Sequence, residues 1–462
     1  MSEVSAGSER LSVVGLGKLG APMAAVFAAR GFDVIGLDLN AAYVDAVNAE
    51  RAPVDETQLQ AYMHASRGRL RATLSFDEAI SGSDISFVIV PTPSGPDHFF
   101  TNDHVVEAVR CIGDALRRKT GDHLVVVTST VMPGSTGGVI REALEQSSGR
   151  VVGRDVGLCY SPEFIALGTV IRDLLNPDMV LIGECDPVYG ERLERVYRKS
   201  TESQPSVQRM NFVNAEICKI AVNTFVTTKI SYANMLADLC DHLEGADVDA
   251  ITRALGSDSR IGAKYLKGGV AYGGPCFPRD NKAFAALARS LDVPCHIAEA
   301  TDRINDHQVQ RLFGALKAVT PEGGRIAVLG LSYKLNTSVI EHSQGMALSR
   351  LLIDEGYRVI VADPLGATMA QASLGPLAEA SHDFSQALAA ADAAVVTTPY
   401  PEIRSIGPEV FARPSSPLPV VDPWGLLKDS PVVDAARVIF LGRGQSARAT
   451  NAAALAHTLS PL

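Results

Sequence analysis

A chain of 462 residues, 46% of them hydrophobic, is long enough for two or three domains that each bury a core, and it does not have the composition of a disordered protein. A formal net charge of -10 without any basic run argues against nucleic acid or an anionic membrane as the main partner, so an acidic ligand would have to be held by local groups. Seven cysteines without CxxC or zinc spacing point to neither a disulfide framework nor a metal site and fit a reducing cytoplasm, while the polar opening and the lack of a long apolar run predict neither a signal peptide nor a membrane span.

The run from Leu11 to Asp38 reads as strand, glycine turn, Ala-rich helix and second strand. Gly15, Gly17 and Gly20 give G-x-G-x-x-G at the strand-to-helix turn, where backbone N–H groups can hold a pyrophosphate. Asp38, at the end of the second strand, can accept hydrogen bonds from a ribose diol and repel a 2′-phosphate, which favours NAD over NADP. Strand-like runs follow at Ile85 to Val90, Leu124 to Ser129, Val156 to Tyr160 and Met179 to Ile182, alternating with helical stretches, so a mostly parallel, doubly wound sheet is expected to end near residue 200. Ligands of such sheets sit outside the carboxyl ends of the strands, which places Thr92, Thr130 and Glu163 at the cofactor crevice.

From Asn211 to Glu244 there is no glycine or proline, and the pattern predicts one long helix that spans domains or forms a subunit interface. Lys219 and Asn223, four residues apart, share one face of it. The segment Ala271 to Asp280, AYGGPCFPRD, sets Cys276 in a turn fixed by two glycines and two prolines, with Asp280 in the first turn of the next helix. A cysteine beside Gly and Pro is ordinarily inert, a reading that the rest of this chain overturns. After residue 310 a second βαβ pattern opens at Arg325 to Lys334, with strands ending at Asp363, Thr397 and Asp422. It has no third glycine, so it should not bind a dinucleotide in the same way as the first half. Arg413 to Pro419 reads as a surface loop.

Taken in order, VVGLGKLG with Asp38, VPTP, TSTVMPG, SPEF, EICKIAVNTF, DSRIG, GGPCFPRD and GLSYK resemble the UDP-glucose/GDP-mannose dehydrogenase family over nearly the whole chain. The resemblance implies two Rossmann-like doubly wound sheets joined by a long central helical domain: residues 1–205 for NAD, 206–310 for dimerisation and the active site, and 311–462 for the nucleotide sugar. It implies oxidation of C6 of a nucleotide-linked hexose to a carboxylate with reduction of two NAD+, through a thiohemiacetal and a thioester on Cys276. Lys219 and Asn223 would hold the C6 oxygen, Asp280 would position Lys219 or water, and Thr130 and Glu163 would hold a water and move protons. Gly15, Gly17, Lys18, Leu19, Gly20, Asp38, Pro91, Thr92, Thr130 and Arg279 would contact the cofactor. Glu163, Phe164, Lys219, Asn223, Tyr265, Leu266, Lys267, Gly268, Gly269, Gly273 and Lys334 would contact the substrate, with Arg260 reaching it from the partner of a homodimer.

The chain departs from the family pattern at Leu167, Glu341 and Tyr43, on the cofactor side, and at Pro423-Trp424-Gly425, where a Gly-Arg element is usual. UDP-glucose is the expected substrate on family frequency alone. UDP-N-acetylhexosamines, GDP-mannose and a dTDP sugar are the alternatives within the same chemistry. A sugar-nucleotide-binding protein without turnover is disfavoured by the intact Cys276, Lys219, Asn223 and Asp280 set, and a two-electron β-hydroxy acid dehydrogenase by Cys276 and the second sheet.

Overall fold

The computed structural model describes residues 9–413 and 416–443; the polar opening of the chain, and Pro414 and Ser415 of the expected surface loop, lie outside them. Among the described residues the first sheet has eight strands, β1 (Arg10–Val14), β2 (Asp33–Leu37), β3 (Leu70–Thr73), β4 (Ile85–Val88), β5 (Leu124–Val127), β6 (Gly157–Tyr160), β7 (Met179–Glu184) and β8 (Ser206–Met210). Their order is β3-β2-β1-β4-β5-β6-β7-β8, and only β6 and β7 pair antiparallel. Because β2 and β4 flank β1 on opposite sides, the chain leaves β1 at a topological switch point, which opens a crevice at the strand's carboxyl end.

Both faces of this sheet are covered, so its strands read as unbroken apolar runs. In β5, Leu124 and Val126 enter one core with Met23, Phe27 and Phe87, while Val125 and Val127 enter the other with Val88, Ile112 and Leu144. Each such valine, fully buried, contributes about 1.5–3 kcal/mol. β3 and β8 escape a sequence reading for the opposite reason. β3 is four residues long with Arg71 exposed, and edge strand β8 buries none of its residues fully, so neither shows the apolar signal of a central strand, and the sheet runs on past residue 200.

The expected long helix runs Phe212–Asp241, 30 residues, and the side chain of Asn211 accepts a hydrogen bond from the backbone N–H of Asn214 (2.9 Å) to cap it. Packing divides the chain into two compact units between Ala221 and Val222, within this helix. Among the described residues, no helix is long and apolar enough to cross a membrane.

In the second unit β9 (Arg325–Leu329), β10 (Arg358–Ala362), β11 (Ala378–Ser381), β12 (Ala393–Val396), β13 (Pro419–Asp422) and β14 (Arg437–Phe440) form a parallel sheet in the order β11-β10-β9-β12-β13-β14. The expectation that this half lacks a third glycine needs correction. Gly330 has φ +102°, and a Cβ on Gly345 would lie 2.4 Å from the Gly330 carbonyl oxygen, just as one on Gly20 would lie 1.8 Å from that of Gly15. Gly345 therefore does the packing of a third glycine, displaced along the sequence by the insertion between them. The acidic residue also differs: Asp363 is fully buried and accepts from the backbone N–H groups of Leu331 (2.7 Å), Ser332 (3.0 Å), Leu365 (2.9 Å) and Gly366 (2.7 Å). A carboxylate so engaged is not available to a ribose, which supports the expectation that this half does not hold a dinucleotide in the same way.

Candidate active site

In the first unit the glycine turn is shaped by close approach. Gly15 has φ +98°, and a Cβ there would lie 2.1 Å from the carbonyl oxygen of Ile89. Leu19 stands at the N-cap of helix Gly20–Ala29 and cannot cap it, and the Ala21 N–H donates to the Gly17 carbonyl (3.1 Å), which folds the glycine turn onto the start of the helix. A cavity of about 700 Å³ opens here, lined by Gly15, Gly17, Lys18, Leu19, Gly20, Asp38 and Pro91. Asp38 is half-buried, its carboxylate accepting from the N–H groups of Leu16 (2.6 Å) and Asn40 (2.8 Å) while it faces the cavity. Tyr43, Phe76, His104, Glu107 and Cys111 complete the wall. The last three lie on one face of helix Asp103–Leu116, which a local motif search does not reach. A pyrophosphate against the turn and a ribose diol against Asp38 fit this cradle, so these residues are the ones that would hold NAD.

Asp38 also gives an expected discrimination. A 2′-phosphate would meet a like charge and lose the ribose hydrogen bonds, together about 3 kcal/mol, so kcat/KM with NADP+ should fall about 100-fold below that with NAD+. Initial rates with both cofactors check this; equal efficiencies would contradict it.

Beside the cavity Thr92 is buried and donates to the carbonyl of Thr130 (2.7 Å), which ties the carboxyl ends of β4 and β5 together. Glu216, fully buried, does similar work for the TSTVMPG turn, its carboxylate accepting from the N–H groups of Gly134 (2.6 Å) and Thr136 (2.7 Å). Lys219 is 8% exposed: its ammonium donates to the carbonyl oxygen of Glu163 (2.7 Å) and lies 4.5 Å from the centre of the Phe164 ring. Glu163 accepts from the Tyr197 hydroxyl (3.1 Å), and burial pushes its carboxyl up to about 7, against the opposing pull of Tyr197 and Lys219. A carboxyl poised there can take or give a proton near neutral pH.

In the second unit Cys276 occupies the N-cap of helix Phe277–Ser290, exposed, with its carbonyl accepting from the N–H of Asp280 (2.8 Å). Asp280 is fully buried, and its two carboxylate oxygens accept from the Asn223 amide (2.6 Å) and the Arg279 guanidinium (3.1 Å). The glycines before Cys276 are needed for packing. A Cβ on Gly273 would lie 2.3 Å from the His342 carbonyl, and Gly274, at φ +82°, lies against the Tyr333 ring, so the segment carrying Lys334 braces the turn. Two buried amides, unnoticed in the sequence, clip the same loop at both backbone groups. Asn234 holds Gly269 N–H (2.9 Å) and Val270 carbonyl (3.0 Å), and Asn305 holds the N–H (2.8 Å) and carbonyl (3.2 Å) of Tyr272.

A cavity of about 630 Å³ is lined by Leu266, Lys267, Thr252, Arg253, Trp424 and Lys428 among others. Trp424 lies against Gly269, where a Cβ would approach its ring to 2.5 Å, and donates to the Thr397 carbonyl (3.2 Å). Gly268 is crowded by Val248 and Ala237. Arg443, 5% exposed, donates to the Pro423 carbonyl (2.7 Å) and pairs with Asp249, bringing an arginine beside the Pro-Trp-Gly segment from beyond β14. Tyr265 holds a left-handed φ of +62° with its ring exposed, a conformation that costs about 1–3 kcal/mol in a non-glycine residue. Arg260 is exposed and paired with Asp258 (2.6 Å).

Three family models match in succession: the NAD binding domain of the UDP-glucose/GDP-mannose dehydrogenase family over residues 9–201, its central domain over 213–307 and its UDP binding domain over 327–429. The chain belongs to the UDP-glucose/GDP-mannose dehydrogenase family. It is 36% identical to a UDP-glucose 6-dehydrogenase of Haloferax volcanii, over 87% of this chain and 94% of that protein. It is 34% identical to a GDP-mannose 6-dehydrogenase of Pseudomonas putida, over 77% and 80%. The fold matches a UDP-glucose dehydrogenase from Pyrobaculum islandicum with a TM-score of 0.85 and 30% identity, covering 96% of this chain and all of that one. The protein is therefore an NAD-dependent oxidoreductase of the nucleotide-sugar 6-dehydrogenase type, and its third domain is of the family's UDP-binding kind.

Proposed function

We propose that the protein oxidises UDP-glucose to UDP-glucuronate in two steps at one site, with Cys276 as the nucleophile. The observation that carries the chemistry is Cys276 at a helix N-terminus, four residues from a buried Asp280 that fixes Asn223 and Arg279. Bound NAD+ supplies the hydride acceptor for each oxidation. The first oxidation removes a hydride from C6 and the hydroxyl proton, giving an aldehyde. The Cys276 sulfur then adds to the aldehyde carbon, and the thiohemiacetal loses a second hydride and a proton to give a thioester. Water attacks the thioester, the C–S bond breaks, and carboxylate and thiol are released. Each tetrahedral species carries charge on the C6 oxygen, for which Lys219 supplies a cation and Asn223 an amide donor, one helical turn apart. Glu163 exchanges the protons, and Thr130 holds the water. The 1–205, 206–310 and 311–462 division serves this chemistry as cofactor, assembly and nucleotide-sugar parts, with the first boundary moved past β8, which belongs to the first sheet.

UDP-glucose is favoured because the relative named for it is covered more fully than the one named for GDP-mannose, 94% against 80%. A panel of UDP-glucose, UDP-N-acetylhexosamines, GDP-mannose and dTDP-glucose assayed for NADH tests the choice. Two NADH per UDP-glucose and at least tenfold lower kcat/KM for the others is the expected result; a higher kcat/KM for another sugar would reassign the substrate.

The partner is a second copy of the chain. Phe225, Tyr232 and Leu239 recur every seven residues along the long helix and are 67%, 47% and 53% exposed, a stripe suited to a helix-to-helix contact. Arg260 then completes the neighbour's substrate site. An Arg260→Ala subunit and a Cys276→Ser subunit, each inactive alone, should regain activity on mixing, because one site of the mixed dimer receives both lesions and the other neither. Mixed dimers that form and stay inactive would contradict the trans role.

A further inference from the structure

Tyr197 lies on helix Pro187–Ser200 and is 5% exposed, and nothing in its local sequence marks it as functional. Its hydroxyl is 3.1 Å from Glu163 Oε1 and 2.9 Å from Ser161 Oγ, which in turn lies 2.9 Å from the carbonyl oxygen of Leu181 on β7. We propose that Tyr197 is a positioning residue for Glu163, and that its hydroxyl and that of Ser161 form a hydrogen-bond chain whose direction reverses with the charge on the carboxyl.

A tyrosine and a serine hydroxyl each carry one proton and can each accept. With Glu163 ionised, Ser161 donates to Tyr197 and Tyr197 to the carboxylate. With Glu163 protonated, the carboxyl donates to Tyr197, Tyr197 to Ser161, and Ser161 to the Leu181 carbonyl. In both states the Glu163–Tyr197 and Tyr197–Ser161 contacts hold a proton without displacing a heavy atom, while the Ser161–Leu181 contact gains one only when Glu163 is protonated, so the proton on Glu163 can come and go without leaving the tyrosine hydroxyl stranded in the core. The groups that face this chain are Lys219 from the long helix, which favours the carboxylate, and Cys159 on β6, whose thiol burial keeps protonated.

The inference rests on the reading that Glu163 exchanges a proton during the oxidation. The experiment is the pH dependence of kcat for the wild type, Tyr197→Phe, Ser161→Ala and the double variant, with Glu163→Gln as the reference that removes the Glu163 limb. Phenylalanine keeps the ring packing and deletes the donor to the carboxylate, so the acid limb should move up by about one pH unit. Ser161 acts only through Tyr197, so Ser161→Ala should shift the limb when Tyr197 is present and leave it unmoved in the Tyr197→Phe background. A Tyr197→Phe profile that superimposes on the wild type, or that falls by one factor at every pH, would overturn the proposal, as would a Ser161 effect that persists without Tyr197. A limb that survives in Glu163→Gln would instead overturn the proton role of Glu163. The chain is then read from the 13C NMR titration of the Glu163 carboxyl, where an unchanged midpoint in Tyr197→Phe overturns it.

Discussion

Cys276→Ser should lower the rate of uronate formation by at least about a thousandfold while leaving the binding of nucleotide sugar and NAD+ within a few-fold of the wild type. A thiol near neutral pH supplies a fraction of thiolate that a serine hydroxyl does not, and a thiolate leaves an acyl carbon far more readily than an alkoxide. The substitution is nearly isosteric and Cys276 is exposed at the start of helix Phe277–Ser290, so the loss can be read as chemistry. The first hydride transfer does not need the sulfur, and aldehyde-level or ester material should accumulate on the serine enzyme. The check is product analysis beside NADH release. Wild-type rates of uronate from the serine variant would remove Cys276 from the mechanism.

The next largest loss is expected at Lys219. Lys219→Met keeps an unbranched side chain and removes the cation that lies over the Phe164 ring, and with it one of two groups proposed to stabilise the oxyanion, which should cost about 100- to 1,000-fold in kcat. KM for the nucleotide sugar should change little, because the charge on oxygen exists only in the tetrahedral species. Steady-state kinetics across the pH range checks this. A raised KM with kcat preserved would assign Lys219 to ground-state binding.

What could be read from the sequence is what depends on neighbours in the chain. The Gly15 turn, its helix and Asp38 are fixed by local backbone demands, and the long helix by the absence of Gly and Pro over thirty residues. The apolar strands β4 and β5 are legible because both of their faces are buried. What escaped is made by residues far apart. Tyr197 meets Glu163 across 34 positions and Asn234 meets Gly269 across 35, and in the sequence each is one polar residue among many. Gly345 was hidden by an insertion, although the close approach that requires a glycine is the same as at Gly20. Gly273 and Gly274 mark the turn at Cys276 in the sequence, and what they make room for includes His342 and Tyr333. In the sequence a glycine marks a close approach without naming what approaches.

The most direct test of the account is acid quench of the wild-type enzyme during turnover with UDP-glucose and NAD+, followed by mass spectrometry of the peptide that contains Cys276. The account predicts an acyl adduct of the nucleotide sugar on Cys276, at the oxidation level of the acid, released by hydroxylamine and absent from Cys276→Ser. Uronate formed at the full rate, with no adduct on Cys276 at any quench time and with the adduct's stability to the quench established on a model thioester, would contradict it.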